Sequence, residues 1–385
     1  MLEIAIKGDR RYWGWIGFLF CVIGIGIFFY HKQLVYGLGI TGMSRDVSWG
    51  IYTSQSNFLV GVAAGGIMLV LPYYLHDLKK FAKITILGEF LAVPALMMCL
   101  LFLFVHLGKP ERFLNAFLHP TPSAMIFWDG LVIMGYLVMN LVIGWNVVGS
   151  ERKGVKPPQW VKWLIYLSIP TAFSIHTATA FLYCGLAGRG YWLTAILAPR
   201  FLASAFSSGP ALLILLALML KKLTGFDAGK GTLQTIAVIV AYALLANIFF
   251  LLCEVFVVFY SGIPSHMDHF LYLFKGLNGS SIMVPWMWSA MALLGIAAII
   301  MVIPSLRKRT PLLVIGCLAV FVGTWIEKGL GLMVGGFTPN PFHRVVEYIP
   351  SVSEILITLG VYGIGMLILT ILYKITLEVR KQDKS

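Results

Sequence analysis

Two oppositely charged residues, Glu327 and Lys328, stand side by side in the apolar stretch GTWIEKGLGL at 323–332. A charged side chain near the centre of a bilayer costs about 2.5–3.5 kcal/mol on insertion scales. Such residues therefore pair, face other helices or line a pathway. Adjacent residues lie about 100° apart around a helix, so the two cannot face one partner, and we expect one of them to point inward.

Further ionisable residues fall at a similar depth in other apolar stretches, toward the same end of each predicted helix. They are Asp129, His176, Arg200 and Glu254. Burial and neighbouring charges tune the proton affinity of such groups. We therefore predict a polar pocket that opens on one face of the membrane. Its candidate proton carriers are Glu327, Glu254 and Asp129, with Lys328 compensating charge.

Glu89 lies in the opposite half of its predicted helix. Asn140 and Asn247 add polarity near the middle or in the same half of the membrane. We include Glu89 among the proton carriers, because the three side chains together would extend a proton path away from the pocket.

Metal-binding patterns are weak in this chain. The five cysteines each stand alone in an apolar run, without a C-x-x-C pair. An iron–sulfur cluster or disulfide framework is therefore not expected. A membrane haem needs two histidines on facing helices. Only His176 lies well inside a predicted span, with His106 at a span end, so we expect no haem. His266 and His269 form an H-x-x-H pair typical of a solvated turn.

The composition indicates an integral membrane protein. Of 385 residues, 59% are hydrophobic and 12% are charged, whereas soluble domains are about 25% charged. Apolar stretches long enough to cross a bilayer recur along the whole chain. We predict one all-α membrane domain with ten helices, at about 13–34, 55–75, 84–106, 124–147, 161–185, 200–221, 233–260, 284–304, 311–334 and 354–375.

The positive charges orient these helices. Twenty of the 29 Lys and Arg residues fall on the side that holds both termini, and positive residues favour the cytoplasm. We expect a multi-pass protein of the cytoplasmic membrane with both termini cytoplasmic. The net charge of +13 then reflects topology rather than nucleic-acid binding. The outer connections are longer and rich in Gly, Pro and aromatic residues, which suggests that a partner docks there.

An internal repeat suggests how the helices assemble. NFLVGVAAGGIMLV (57–70) is similar to RFLASAFSSGPALLI (200–214), and SAMIFW (123–128) is similar to SSIMVPW (280–286). Both members of the first pair open a helix on the outer side and are rich in small residues, which let membrane helices approach closely. We predict two four-helix bundles, formed by helices 2–5 (55–185) and helices 6–9 (200–334), with helices 1 and 10 flanking them.

Three stretches carry a resemblance to a known family. WGIYTSQSNFLVGVAAGG (49–66), HLGKPERFLNAFLHPTPSAMIFWD (106–129) and PRFLASAFSSGPALL (199–213) resemble the NrfD/PsrC family of polysulfide reductase membrane subunits. The length and the stretch ILGEFLAVPALMMCLLF resemble its DsrP/HmeB branch, found in the sulfite-reduction-associated DsrMKJOP complex. The family motif D-L-G-[KR]-P-x-R reads H-L-G-K-P-E-R here, so His106 replaces an Asp, and any proton role at this position is in doubt.

The resemblance implies a function. Family members exchange electrons between the quinone pool, usually menaquinone, and a ferredoxin-like [4Fe–4S] subunit docked on the outer face. They hold no haem or metal themselves, and other membrane and cytochrome subunits complete the complex. We therefore expect a subunit of a menaquinol oxidoreductase rather than an enzyme that acts alone. The candidate quinone-binding residues are Gln55, Asn57, His106, Trp128, His176 and Arg200.

Three other functions remain open at this stage. Repeats and charged residues at mid-membrane depth also fit a secondary transporter, whose helices are often broken there, and Pro94 and Pro170 could mark such breaks. A haem-bearing quinol dehydrogenase subunit would show haem bands in a visible spectrum. A purely structural anchor would leave quinone turnover intact when the charged residues are replaced. Trp128 could likewise be an interfacial residue rather than a wall against a quinone ring.

Overall fold

A computed structural model describes residues 2–66, 73 and 79–382. The described residues are mainly α-helical and form no β-sheet. Ten long helices, numbered here α1 to α10, form the membrane domain. They are α1 (Arg10–Tyr36), α2 (Ile51–Gly65), α3 (Ala82–His106), α4 (Met125–Arg152), α5 (Gln159–Cys184), α6 (Leu197–Thr224), α7 (Lys230–Ser261), α8 (Val284–Val302), α9 (Thr310–Phe337) and α10 (Val352–Gln382).

Nine of these helices, as far as they are described, are long and apolar enough to cross a membrane. The exception is α2, whose described part is 15 residues long. The predicted span 55–75 begins four residues too late, and nearly all of its second half lies outside the described residues. The remaining predicted spans agree with the helices to within a few residues at most ends, which is the usual uncertainty of helix boundaries. The chain is a multi-pass membrane protein.

The helices pack as two groups of four. Helices α2, α3, α4 and α5 contact one another around one bundle, and α6, α7, α8 and α9 do so around the other. Helix α1 packs along α10, and α10 in turn packs on α3 and α4. The two bundles and two flanking helices predicted from the repeat are therefore present.

The bundles meet where α2 crosses α6, at a contact between backbones. A Cβ atom on Gly65 would lie 2.5 Å from Gly209 Cα, and a Cβ atom on Gly209 would lie 2.6 Å from Gly65 Cα. Real Cβ atoms essentially never approach so closely. Two glycines thus allow the helices to touch backbone to backbone, as small residues do in membrane proteins. Both belong to the repeated stretches 57–70 and 200–214.

The connections separate onto two faces. On the face called here the loop side, the segment after α1 contacts the start of α10, since Gly42 N donates to Glu354 Oε2 at 2.6 Å. On the other face, the terminal side, Arg380 near the C-terminus pairs with Glu151 at the end of α4 at 2.9 Å. The connections expected to share a face are therefore together.

Helix α9 changes its winding near the loop side. Its first part, Thr310–Thr324, and its last part, Leu332–Phe337, are α-helical, and Trp325–Gly331 between them forms a π-helix. A π-helix is rare and frequently marks a functional site. This turn packs against α2 and α8, which encloses most of its residues.

Candidate functional site

The centre of the site is a buried ion cluster of three residues from three helices. Arg200 lies at the loop-side end of α6. Its Nη1 donates to Glu254 on α7, and its Nη2 donates to Glu327 in the π-helical turn of α9. All three side chains are buried, with 3%, 4% and 2% of their residue surface exposed. We call this triad the Arg200 cluster. One guanidinium group donates to two carboxylates, because its N–H donors are held in a fixed planar arrangement.

Lys328 is also buried, so the expectation that only one of the adjacent pair points inward is wrong. Its Nζ lies 4.4 Å from the centre of the Phe201 ring, and a Cβ atom on Gly61 would be 3.2 Å from that nitrogen. The two side chains do face different partners, as their angular separation requires. Both are enclosed because the π-helical turn is packed against neighbouring helices. Lys328 Nζ has no hydrogen-bond partner within the described protein.

Two amide residues on α2 reach this turn of α9. Asn57 Nδ2 donates to the backbone carbonyl of Lys328 at 3.0 Å, across the contact between the bundles. Gln55 Oε1 accepts from Trp325 Nε1 at 2.7 Å and from the Tyr362 hydroxyl at 2.6 Å. Both amides retain an atom without a protein partner, which is Asn57 Oδ1 in one and Gln55 Nε2 in the other.

His176 and Asp129 place polar groups in the other bundle. His176 on α5 is fully buried, and neither of its ring nitrogens has a hydrogen-bond partner among the described residues. Its ring lies 6.5 Å from the Phe201 ring, which Lys328 also contacts. Asp129 on α4 lies with its Oδ1 2.6 Å from the Thr179 hydroxyl on α5. His176 and Lys328 thus share Phe201 as a neighbour, whereas Asp129 has a separate partner.

Glu89 occupies a different region, in the terminal half of α3. Neither of its carboxylate oxygens has a hydrogen-bond partner in the part of the chain that the structure describes. A cavity of about 10 Å³ lies against it and is also lined by Tyr136, Asn140 and Ser168. This is room for about one water. Asn247 on α7 is buried and has no partner at either amide atom. Glu89 and Asn140 are thus brought together, and Asn247 does not line their cavity.

Two candidate residues lie at the edge of this arrangement. His106 is the last residue of α3, and its Nδ1 is buried without a partner. Trp128 is 43% exposed, and its Nε1 donates to the Pro122 carbonyl at 2.8 Å. This exposed placement favours the interfacial interpretation of Trp128 over that of a wall against a ring.

Several aromatic residues of the site were not found from the sequence. Trp325 and Tyr362 fix Gln55, and Tyr191 interacts with Arg200 from the segment between α5 and α6. The Tyr191 ring also lies 5.6 Å from the His269 ring and is tilted by 39° against it. His269 Nδ1 lies 2.7 Å from the Gly335 carbonyl oxygen. Burial lowers the pKa of His269. Only the unusual aromatic pair in GRGYW could have pointed to Tyr191, because the partners are far apart in sequence.

The site is rich in proton-carrying groups rather than metal ligands. Within the described ranges, no group of three or more His, Cys, Asp or Glu side chains is arranged to hold a metal ion. The arrangement can hold a polar organic molecule by hydrogen bonds and exchange protons with it. Two carboxylates, two cations and an imidazole supply the necessary groups.

Comparison with known proteins shows that this chain is similar to membrane subunits of reductases and oxidoreductases. Residues 39–339 match the sequence model of the family described as polysulphide reductase, NrfD. The chain is 25% identical to a putative dimethyl sulfoxide reductase membrane subunit from Halobacterium salinarum, with 92% of this chain and 89% of that protein aligned. It is 20% identical to the integral membrane subunit of menaquinone reductase from Nitratidesulfovibrio vulgaris, over 94% and 90% of the two chains. It is 22% identical to the integral membrane subunit of the Hdr-like menaquinol oxidoreductase of Archaeoglobus fulgidus, over 65% and 61%.

Proposed function

The chain belongs to the NrfD polysulphide reductase family, and from this premise we propose that it is the quinone-interacting membrane subunit of an electron-transfer complex. In this proposal it exchanges electrons between menaquinone or menaquinol and an iron–sulfur partner. The names of two relatives, a menaquinone reductase and a menaquinol oxidoreductase, support this choice of quinone. The observation that carries the proposal is the Arg200 cluster surrounded by unpartnered polar atoms.

The unpartnered atoms fit the chemistry of a quinone. Nearly all buried polar groups in proteins hydrogen-bond to protein, water or ligand. The side chains of Gln55, Asn57, His176 and Lys328 each present at least one buried atom without a partner. Amide and ammonium nitrogens donate to quinone oxygens, and the Asn57 oxygen accepts from a quinol hydroxyl. When bound, the quinone couple supplies the two-electron, two-proton chemistry of the reaction.

The protein positions these groups in advance. Trp325 and Tyr362 hold the Gln55 amide oxygen, so its nitrogen is directed elsewhere. The bond from Asn57 to the Lys328 carbonyl likewise directs the Asn57 oxygen away from that contact. Such fixed donors and acceptors need little reorganisation when a molecule binds. His106, which lies at the loop-side end of α3, is proposed to contact only the outer part of the quinone.

Proton exchange is assigned to the carboxylates. Arg200 binds both Glu254 and Glu327, so the loss or gain of one proton leaves the other carboxylate paired. Lys328 compensates the remaining negative charge. Asp129, held by Thr179, is a further proton carrier. Glu89 and Asn140 would extend a path to the terminal side, through the small cavity that they share.

The partner, the orientation and the subclass complete the proposal. The loop side would face outward and dock a ferredoxin-like [4Fe–4S] subunit, with both termini in the cytoplasm. The long loop-side connections and the charge distribution support this orientation. The iron and haem would belong to the other subunits, among them cytochrome and further membrane subunits. The sequence resemblance favours a complex of the DsrP/HmeB type.

The test uses the complex with all subunits that copurify. Extracted menaquinone is measured per protein by mass spectrometry, and a reduced-minus-oxidised spectrum is recorded. We expect about one menaquinone per chain, with iron and haem assigned to other subunits. Glu327→Gln and His176→Ala should lower menaquinol-analogue turnover, whereas the lipid-facing control Phe249→Leu should not. No quinone and no iron–sulfur partner would refute the proposal. Intact turnover in both variants would indicate a structural anchor.

A further inference from the structure

A small cavity lies against one carboxylate of the Arg200 cluster, that of Glu254. It measures about 110 Å³ and lies between α7 and the segment 190–196. Its polar lining consists of Glu254, Tyr191, Thr194 and His266, and the other side chains that line it are apolar. This volume has room for several waters, and the polar lining supplies their hydrogen-bond partners. The side chain of Glu254 is 5% exposed, against 2% for Glu327.

A second cavity continues toward the loop side. It measures about 390 Å³, and its polar lining includes Arg189, Ser265, Asn340 and His343. Gly190 and Leu193 line both cavities, so only this short segment separates them. His266 lies against Gly190, where a Cβ atom would be 3.4 Å from the imidazole ring. The two cavities thus lie next to each other, one toward the loop side and one against Glu254.

The other charged and imidazole side chains along this route are held by partners of their own. Arg189 Nη1 donates to the Phe337 carbonyl at 3.3 Å, and its guanidinium lies over the Phe337 ring. His343 Nδ1 lies 3.3 Å from Asp268 Oδ2. His269 is held by the Gly335 and Thr338 carbonyls. The next charged groups inward are Glu254 and its partner Arg200.

We propose that Glu254, rather than Glu327, is the carboxylate that exchanges protons with loop-side water, through the smaller cavity and past His266. A proton on the Glu254 carboxyl passes to a water in that cavity and onward to the larger cavity, and the carboxylate returns to Arg200. Uptake follows the same steps in reverse. Glu327 then exchanges protons within the buried site rather than with loop-side water. This assignment deepens the proposed function and rests on it.

Thiol labelling tests the route without using turnover. In the full complex, Cys184 and Cys253 are first replaced by Ser, because Cys184 lines the larger cavity and Cys253 adjoins Glu254. Val258→Cys then reports on the smaller cavity, which Val258 lines. Leu251→Cys is the matched control, since Leu251 is equally buried on the same helix and does not line it. The probes are a charged methanethiosulfonate and a lipid-soluble maleimide.

We expect the charged reagent to modify Val258→Cys at least about tenfold faster than Leu251→Cys, because thiolates react only where water reaches them. Leu193→Trp, at the residue shared by both cavities, should slow this labelling. The equally exposed Leu223→Trp on α6 should not. Equal labelling of the two cysteines by the charged reagent would overturn the proposal. Labelling by the lipid-soluble reagent alone would also overturn it, since the cavity would then open to lipid.

The measurements distinguish failure of the route through Glu254 from failure of the proposed quinone function. Menaquinone is measured in the same preparation that is labelled. A complex that contains menaquinone but gives no selective labelling refutes the route through Glu254 and leaves the quinone function standing. A complex with selective labelling and no quinone refutes the proposed function and leaves a water-filled path to a buried ion cluster.

Discussion

The Arg200 cluster and the Glu89 region both contain buried carboxylates, but they differ in the partners that those carboxylates have. In the loop half, two carboxylates share one guanidinium, so each of them has a charged partner inside the protein. In the terminal half, the Glu89 carboxylate has no hydrogen-bond partner among the described residues and adjoins a cavity of about 10 Å³. An unpaired buried charge is expensive. The first region is therefore suited to holding charge, and the second to holding a neutral acid or a water.

The largest expected effect comes from removing the cation of the cluster. Arg200→Gln leaves two buried carboxylates without a partner, and breaking a buried ion pair in this way costs about 3–5 kcal/mol. We expect a markedly lower unfolding temperature of the purified protein and loss of menaquinol-analogue turnover. Arg200→Lys should retain part of the stability, because charge is kept while the two-pronged contact is lost. An unchanged unfolding temperature in Arg200→Gln would show that the cluster does not hold charge.

A direct comparison of the two regions uses the same substitution in both. Glu254→Gln replaces a paired carboxylate and should destabilise the protein by about 1–3 kcal/mol, since Arg200 loses a charged acceptor. Glu89→Gln replaces a carboxylate that has no partner to lose, so the free energy of unfolding should change by less than about 1 kcal/mol. Unfolding temperatures of the two variants measure the difference. Equal destabilisation would remove the distinction between the regions.

Lys328 tests whether charge within the loop half is structural or functional. Its ammonium has no hydrogen-bond partner among the described residues, so Lys328→Met should keep stability within about 1.5 kcal/mol. If Lys328 compensates charge during turnover, the rate should nevertheless fall. Parallel measurement of unfolding temperature and quinone turnover separates the two contributions. A drop in stability as large as that of Arg200→Gln would place Lys328 in the structural network instead.

A buried histidine outside the membrane-spanning segments gives the smallest effect. Burial lowers the pKa of His269 in the folded protein. As the pH falls below about 6.5, the unfolded chain binds a proton that the folded chain does not. Stability should therefore decrease from this pH downward, until the pH reaches the lowered pKa. Unfolding temperatures between pH 8 and pH 5 measure this change. His269→Gln should reduce the pH dependence, and the exposed His343→Gln should alter it less.

The sequence was sufficient for the helices and for the depth of the charged residues. Apolar length determines where a membrane helix can lie, and the Lys and Arg residues sort the connections onto two faces. Glu254, Glu327 and Arg200 were therefore expected on the same side of the membrane. The pairing of one arginine with both carboxylates was not predicted. It depends on how helices from distant parts of the chain rotate toward one another.

Two features of the site could not be predicted from local patterns. The π-helical turn at Trp325–Gly331 depends on one extra residue per turn, which apolar periodicity does not reveal in a helix that is buried on most sides. The partners of Gln55 lie on α9 and α10, far away in the sequence. Trp128 was grouped with the site because of its type, and its exposure depends on which face of α4 turns outward.

The contact between Gly65 and Gly209 determines how the two bundles can move. A rocking transporter moves one repeat relative to the other. Here the backbones of α2 and α6 touch, and the bond from Asn57 to the Lys328 carbonyl joins the same two bundles through α2 and α9. A rotation of one bundle against the other would have to shift this backbone contact and break this bond together.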